Sequence, residues 1–237
     1  YVLSAATLPT FGLKSMDAYI QKKFPLAVKV TNEHLHRHHP QISQKWCELR
    51  GESVTDRERI DSLVQSIGRD PAGGSTMIFV NTADAAVDVA QALRTVEPPI
   101  ECAEFHKLLR NTEKRSELKA FREGEVPVLI CTDAAARGLD LPSVRHVIQA
   151  EFALNVVQHL HRIGRASRGG KEGKATNIVD PRGRDLADSV RAGDTKGEGG
   201  VDQSFSRKRG FRAKIKKGRR EQQEQEQEQE QEQGRER

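Results

Sequence analysis

The chain has 237 residues, 35% of them hydrophobic, and its 39 Lys and Arg against 34 Asp and Glu give a formal charge of +5. That length suits one domain of about 150–200 residues with an appendage, and the low apolar fraction leaves part of the chain outside any packed core. No apolar run reaches the ~20 residues of a membrane span, and the three cysteines, Cys47, Cys102 and Cys131, are too scattered for a disulfide framework or a Cys-x-x-Cys zinc site. An intracellular, reducing setting with no membrane partner is expected.

Tyr1 opens the chain inside an apolar run and without Met, so we expect a piece of something longer. His34 to Pro40 is rich in histidine; it reads as an extended lead-in to a domain, with metal binding as the sharper alternative. Thr55 and Glu58 have capping-box spacing, and Ile60, Leu63, Val64 and Ile67 form one helix face ending at Gly68. From Thr76 onward, strand-like and helical runs alternate. Strands are expected at Thr76–Val80, Ile100–Phe105, Val126–Cys131, Val144–Ile148 and Ala175–Val179. Between them lie a helix face at Ala86, Val89, Ala90 and Leu93, a helix over Glu113–Arg122 with Leu118 and Phe121 inward, a helix near Val156–Ile163, and a last helix from Gly183. Such alternation implies an α/β fold, a parallel sheet flanked by helices on both faces, with ligands bound beyond the carboxyl ends of the strands.

The charge is unevenly placed. Arg207 to Arg220 holds nine basic residues and no acidic one, beside Phe205 and Phe211. A glycine-rich linker after Ala192 precedes it, and a Glu/Gln repeat, Glu221–Gln233, follows. A basic run with aromatics fits single-stranded nucleic acid, and a localisation signal is the other reading. The repeat has nothing apolar to bury and is expected to be disordered.

The stretch "HLHRIGRASRGG", His159–Gly170, sets Arg162, Arg165 and Arg168 at three-residue steps around Gly164. A solvated helix face is one reading. The other is a broken turn that presents planar, permanently charged groups to phosphate oxygens. The interrupting glycine, which costs roughly 1 kcal/mol in a helix, favours the second.

Four stretches then resemble one family in its own motif order: "LSAATLP" (Leu3–Pro9), "MIFVNT" (Met77–Thr82), "CTDAAARGLDLP" (Cys131–Pro142) and "HRIGRASRGG" (His161–Gly170). They are similar to motifs III, IV, V and VI of the DEAD-box RNA helicases, and His161 favours that branch over relatives whose motif VI opens on Gln. The resemblance implies two RecA-like domains that close over ATP and RNA, of which this chain is the second. Residues 1–30 would end the first domain, 31–192 would form the helicase C-terminal domain, and 193–237 a disordered tail with its basic segment at 207–220.

The resemblance also implies roles. Arg165 and Arg168 match the catalytic arginines that reach the γ-phosphate. Gly138, Asp140, His161 and Arg162 fall in the ATP-facing set, with Asp140 on the ribose hydroxyl and with His161 and Arg162 orienting the loop and meeting the partner domain. Thr132, Lys107 and Lys114 match RNA contacts, and the tail residues Arg207, Lys208, Arg209 and Arg212 would add more. Ala5, Ala6 and Thr7 stand in the element that couples the two domains. The sequence departs from the pattern in "HKLLRNTEK" (His106–Lys114), where Lys107 replaces a glycine, Asn111 a Gln and Lys114 an Arg, and in "QAEF" (Gln149–Phe152), which replaces Asn-Tyr-Asp. The chain contains no Gly-x-x-x-x-Gly-Lys-Ser/Thr loop and no Asp-Glu-Ala-Asp. ATP with Mg2+ would therefore be held mainly by a first domain of the same polypeptide, leaving this chain inactive alone. Expected partners are RNA, ATP, that first domain, and ribosome or ribonucleoprotein assembly particles. A non-catalytic, helicase-like RNA-binding assembly factor is the alternative.

Overall fold

The structure is a computed structural model, and it describes residues 2–4, 16–30, 39–68, 74–136, 141, 144–166 and 172–196. The coupling residues Ala5, Ala6 and Thr7, the loop residues Gly138 and Asp140, Arg168, the tail residues Arg207, Lys208, Arg209 and Arg212, and the Glu/Gln repeat lie outside the described residues. So do the histidines of the His34–Pro40 stretch other than His39.

Runs of apolar, β-branched residues make strands that can be buried on both faces. Three such runs, β2 (Ser75–Val80), β4 (Val128–Thr132) and β5 (Val144–Gln149), form the middle of a six-stranded sheet. With β1 (Ile42–Glu48), β3 (Cys102–Phe105) and β6 (Gly173–Val179), the order is β1-β6-β5-β2-β4-β3, and every pairing is parallel. The pleat sorts side chains by parity. Ile78 and Val80 enter a core with Leu63 of α2 (Arg57–Ile67) and Val89 and Leu93 of α3 (Ala83–Thr95). Met77 and Phe79 enter the opposite core with Phe121 and Leu118 of α4 (Asn111–Glu123). That second face continues under α6 (Val156–Ile163) and α7 (Arg184–Lys196), where Phe152, Val156, Val179, Leu186 and Val190 pack with Trp46. Two short helices complete the described elements, α1 (Met16–Lys23) and α5 (Asp133–Ala136).

The sequence reading has no counterpart for the short helices α1 and α5, and it differs from this fold in three further places. It missed β1, an edge strand paired on one side only; Ser43, Gln44, Lys45 and Glu48 dilute its apolar signal to Ile42, Trp46 and Cys47. The expected Thr55–Glu58 capping box does not form. Asp56 occupies the N-cap position of α2, its carboxylate accepts the Ser53 N–H at 2.9 Å, and Glu58 accepts the Arg50 N–H at 3.0 Å. Both acids are taken by the preceding loop, so neither reaches the helix terminus. The last helix also continues through Gly193 to Lys196, past the expected start of the linker.

Caps fix the helices that carry the later argument. The Thr82 hydroxyl accepts the Ala85 N–H at 3.1 Å and starts α3 directly after β2. Gly124, at φ 76°, ends α4 in the left-handed region that a side chain would strain.

Burial pushes the Cys102 thiol up to about 11 from 9.0, and it raises the fully buried Cys131 thiol further still. Both should stay unmodified by iodoacetamide at pH 8 in the folded chain, while the half-buried Cys47 is alkylated, as peptide mass spectrometry can read. The linkage has a definite sign. Folding holds these protons more tightly than the unfolded chain does, so their contribution is intact below about pH 9. It should be lost as pH rises from 9 towards 11, and a urea midpoint that did not fall over that window would contradict the burial of both thiols.

Candidate functional site

The carboxyl ends of parallel strands are where such sheets bind ligands. Here those ends deliver Asn81 after β2, Thr132 and Asp133 at the end of β4, Gln149 to Glu151 at β5 and Asp180 after β6. Above them runs α6. The Asn155 side chain accepts the Gln158 N–H at 2.9 Å and caps it, and the Gln158 side chain in turn accepts the Leu154 N–H at 2.7 Å.

Arg162, in the last turn of α6, is 0% exposed. A buried guanidinium is tolerable only when its five N–H donors are all met. Nε donates to Asp133 Oδ1 at 2.9 Å and Nη2 to Asp133 Oδ2 at 2.7 Å, a bidentate ion pair. Nη2 also donates to Asn81 Oδ1 at 2.7 Å. Nη1 donates to the Glu151 carbonyl at 2.7 Å and to Gln149 Oε1 at 3.3 Å. The guanidinium carbon lies 5.3 Å from the centroid of the Phe79 ring. One side chain thus ties α6 to the ends of β2, β4 and β5. All of the Arg162 donors are used within the chain, where sequence reasoning expected Arg162 in the ATP-facing set, orienting the loop and meeting the partner domain.

Behind it the polar contacts continue across the sheet. Gln149 Nε2 lies 2.8 Å from His159 Nδ1 and donates to Asn177 Oδ1 at 2.8 Å, while Gln149 Oε1 also accepts the Ala153 N–H at 3.1 Å. Asn177 then donates to Gln44 Oε1 of β1 at 3.0 Å. A second buried arginine, Arg59 of α2, works on the opposite face. It donates to the Ser53 carbonyl at 2.9 Å, to the Ala150 carbonyl, and to Asp180 Oδ2 at 3.3 Å.

The remaining expected residues separate by exposure. Gly164 ends α6, and Arg165 follows in a turn closed by its own N–H to the Arg162 carbonyl at 3.0 Å. Arg165 is half-buried and His161 exposed, so both reach the surface that Arg162 does not. Ala166 packs in one cluster with Ala136 and Leu141, which flank the segment containing Gly138 and Asp140. Thr132 ends β4 and is 9% exposed, leaving little of it to meet a ligand. Lys107 is exposed after β3, and Lys114 is half-buried on α4. They lie at the β3 edge of the sheet, next to the β4 loop in strand order. Arg110 grips Glu113 there, and the Glu113 carboxylate accepts the Arg110 N–H at 2.8 Å.

Sequence reasoning assigned no role to Asp133, Asn81, Gln149, Glu151 or Arg59. A signal existed for two of them. An amide ending the apolar run "VRHVIQ" and an acid opening the loop after "VLICT" are polar groups at strand ends, where burial demands partners. Asp133 is no metal ligand in waiting, since Arg162 and Gln158 occupy its carboxylate. Among the described residues, no three His, Cys, Asp or Glu side chains gather as a metal site.

The buried and half-exposed arginines should differ in their effect on stability. Arg162→Ala strands a partly buried carboxylate and two amide oxygens, and is expected to cost about 3–5 kcal/mol. Arg162→Lys keeps the charge, loses the fork, and should recover only part of that. Arg165→Ala, at a half-buried position, should cost less than Arg162→Ala. Urea unfolding of the three variants checks this, and equal losses at 162 and 165 would contradict the assignment.

Residues 58–170 match the family profile of the helicase conserved C-terminal domain. The chain is 41% identical over 226 residues to DEAD-box ATP-dependent RNA helicase 22 of Oryza sativa subsp. japonica, covering 92% of this chain and 38% of the relative. It is 41% identical over 219 residues to DEAD-box ATP-dependent RNA helicase 22 of Arabidopsis thaliana, covering 92% of this chain and 36% of the relative. The chain thus spans little more than a third of the length of these relatives. Its fold superposes on S. cerevisiae Dbp5 bound to RNA and ADP BeF3 with a TM-score of 0.63 and 26% identity, over 78% of this chain and 46% of that one. The E. coli DEAD-box protein SrmB bound to regulator of ribonuclease activity A gives a TM-score of 0.53 and 28% identity, over 64% of this chain and 85% of that one. A parallel sheet that locks its α6 arginine to the loop after β4, in a chain with these relatives, is the C-terminal RecA-like helicase domain of the DEAD-box family.

Proposed function

We propose that the chain is the second half of an ATP-dependent RNA helicase, supplying the arginines of an ATP site completed by a first RecA-like domain. The observation that carries the reading is the Arg162–Asp133 pair, which ties the end of α6, from which Arg165 follows, to the residue directly after β4. Phosphoryl transfer spreads charge over the equatorial oxygens, and a positioned guanidinium stabilises that charge most in the transition state. Arg165 and Arg168 take that role. Asp140, an acceptor-only group, takes the ribose hydroxyl. Mg2+ neutralises the nucleotide phosphates and is held by the first domain.

RNA is the second ligand, as it is for the Dbp5 complex that this fold resembles. Lys107, in the loop after β3, and Lys114, in the first turns of α4, contact the RNA backbone rather than base edges, and Thr132, buried at the end of β4, supports that edge from below. Binding of ATP and RNA draws the two domains together, strains a short duplex, and hydrolysis releases it. The basic segment 207–220 serves as an arm that keeps RNA near the core.

Two experiments test this. The purified chain should turn over ATP no faster than background. In a protein that joins it to its first domain, Arg165→Ala or Arg168→Ala should slow hydrolysis by about 10³-fold or more, with RNA affinity less affected. ATPase left intact by both, with RNA binding abolished, would make these arginines RNA ligands instead.

For the arm, deletion of residues 207–220 should weaken binding of labelled single-stranded RNA at moderate salt. It should also flatten the dependence of log affinity on log salt, by about 0.7 for each phosphate no longer neutralised. RNA-independent ATPase should survive. Unchanged affinity and slope across a salt series would assign the segment to localisation or a protein partner.

A further inference from the structure

The loop after β3 hangs from a buried group. His106, the residue that follows the strand, is 1% exposed. Its Nε2 lies 3.0 Å from Glu104 Oε2, and its buried Nδ1 makes no hydrogen bond. A carboxylate only accepts, so Nε2 carries its hydrogen towards Glu104. The other Glu104 oxygen, Oε1, accepts from Arg94 Nη1 at 2.9 Å, in the last turn of α3. Arg94 Nη2 goes on to the Cys102 carbonyl at 2.9 Å. From α4, the Glu117 carboxylate accepts the Glu104 N–H at 3.0 Å. One residue of the strand is thus tied to α3, to α4 and to the loop.

Stability does not account for a carboxylate at this place. By the pleat, Cys102 and Glu104 share the face under α3, where Cys102 joins the core of Ala90 and Leu93, while Ala103 and Phe105 face the α4 core. An apolar residue at 104 would extend the α3 core. The Glu104 side chain is 13% exposed but its Arg94 partner is 43% exposed, and ion pairs with so open a partner contribute little. What β3 lacks is hold. It is four residues long and pairs with β4 alone, so the residues after it take their position from the Glu104 contacts.

The part held in this way is a tight turn. The Leu109 N–H donates to the His106 carbonyl at 3.4 Å, and Lys107 and Leu108 form the exposed corner. At the far end, Glu113 accepts the Arg110 N–H at 2.8 Å and the Arg110 guanidinium at 2.6 Å, which draws that cation back onto α4. Lys107 is left as the cation of the corner. A lysine meets phosphate as a point charge on a flexible stem, and a backbone fixed beforehand lowers the ordering cost of that contact. We propose that Glu104 is a positioning residue for the contact of Lys107 with an RNA phosphate, acting through His106. The inference rests on the reading of Lys107 as an RNA contact. Its sign separates it from plain charge. Neutralising a carboxylate beside the RNA path strengthens RNA binding by electrostatics alone. Positioning demands the opposite, because Gln at 104 offers one acceptor oxygen to the two donors that the carboxylate serves.

The test is a double-mutant cycle on the full chain, titrated with labelled single-stranded RNA across a salt series. Lys107→Gln should weaken binding severalfold at low salt and lower the slope of log affinity against log salt by about 0.7, the share of one phosphate. Glu104→Gln should reproduce most of both changes, and Lys107→Gln added to it should then cost almost nothing. Lys114→Gln should keep its full cost beside Glu104→Gln, which a general loosening of the chain would not allow. If circular dichroism shows Glu104→Gln unfolded, Arg94→Gln removes one tie at a more open side chain and should show the same coupling to Lys107→Gln, at smaller size. Equal costs of Lys107→Gln with and without Glu104, or tighter RNA binding by Glu104→Gln, would overturn the positioning role and leave the Lys107 contact standing. A Lys107→Gln chain that binds RNA as the parent does would overturn both.

Discussion

The buried ion pair between Arg162 and Asp133 is the constraint around which the carboxyl edge is built. A guanidinium taken from water carries a desolvation penalty that one carboxylate does not repay without further hydrogen bonds. Here the further bonds come from Asn81, Gln149 and the Glu151 carbonyl, at the ends of the neighbouring strands. The arginine can be buried only if β2, β4 and β5 present their ends in one relative register, and α6 can dock only if the arginine is buried. Each condition enforces the other, so the pair contributes more to specifying the edge than to net stability.

The departure "QAEF" is intelligible from the same constraint. An amide at position 149 has two donors and two acceptor sites, and all are used here, by Arg162, Ala153, His159 and Asn177. The family pattern has the shorter Asn at this place. Gln keeps the same amide chemistry, and its longer stem carries the amide as far as Asn177 of β6, which reaches on to Gln44 of the edge strand. Glu151, where the family pattern has Asp, accepts the Asn81 N–H at 2.7 Å and leaves its backbone carbonyl to Arg162. The exchanges at 149 and 151 therefore preserve hydrogen-bond chemistry while altering length, and Ala150 in place of Tyr gives up a hydroxyl.

Legibility in the sequence followed burial. β2, β4 and β5 are continuous apolar runs because both faces are covered, and their periodicity identified them to within a residue or two. β1 pairs with β6 alone and is mostly exposed or half-buried, and its Ser43, Gln44 and Lys45 leave no apolar run to read. The Thr55–Glu58 spacing met a general rule for helix starts, but Arg50 and Ser53 took the two acids first, a competition that no local window shows. Arg162 posed the hardest case. Its residue type and spacing suit a phosphate ligand, and only the fold shows that Asp133, twenty-nine positions earlier, consumes it.

The same stretch buries one arginine and leaves the next, three residues on, half-buried, with Gly164 between them. Its backbone, at φ −66° and ψ 2°, is open to any residue, so conformational freedom does not explain it. Space does. A Cβ at this position would stand 3.0 Å from the Leu160 carbonyl oxygen, backbone that cannot swing aside. Any side chain would push the end of α6 away from the turn behind it. That turn holds Arg162 in its pocket and is followed by the half-buried Arg165. A shift of a few tenths of an ångström would lengthen the hydrogen bonds of Arg162 together. Glycine here keeps the end of α6 closed against the Leu160 carbonyl, the turn that seats the buried arginine.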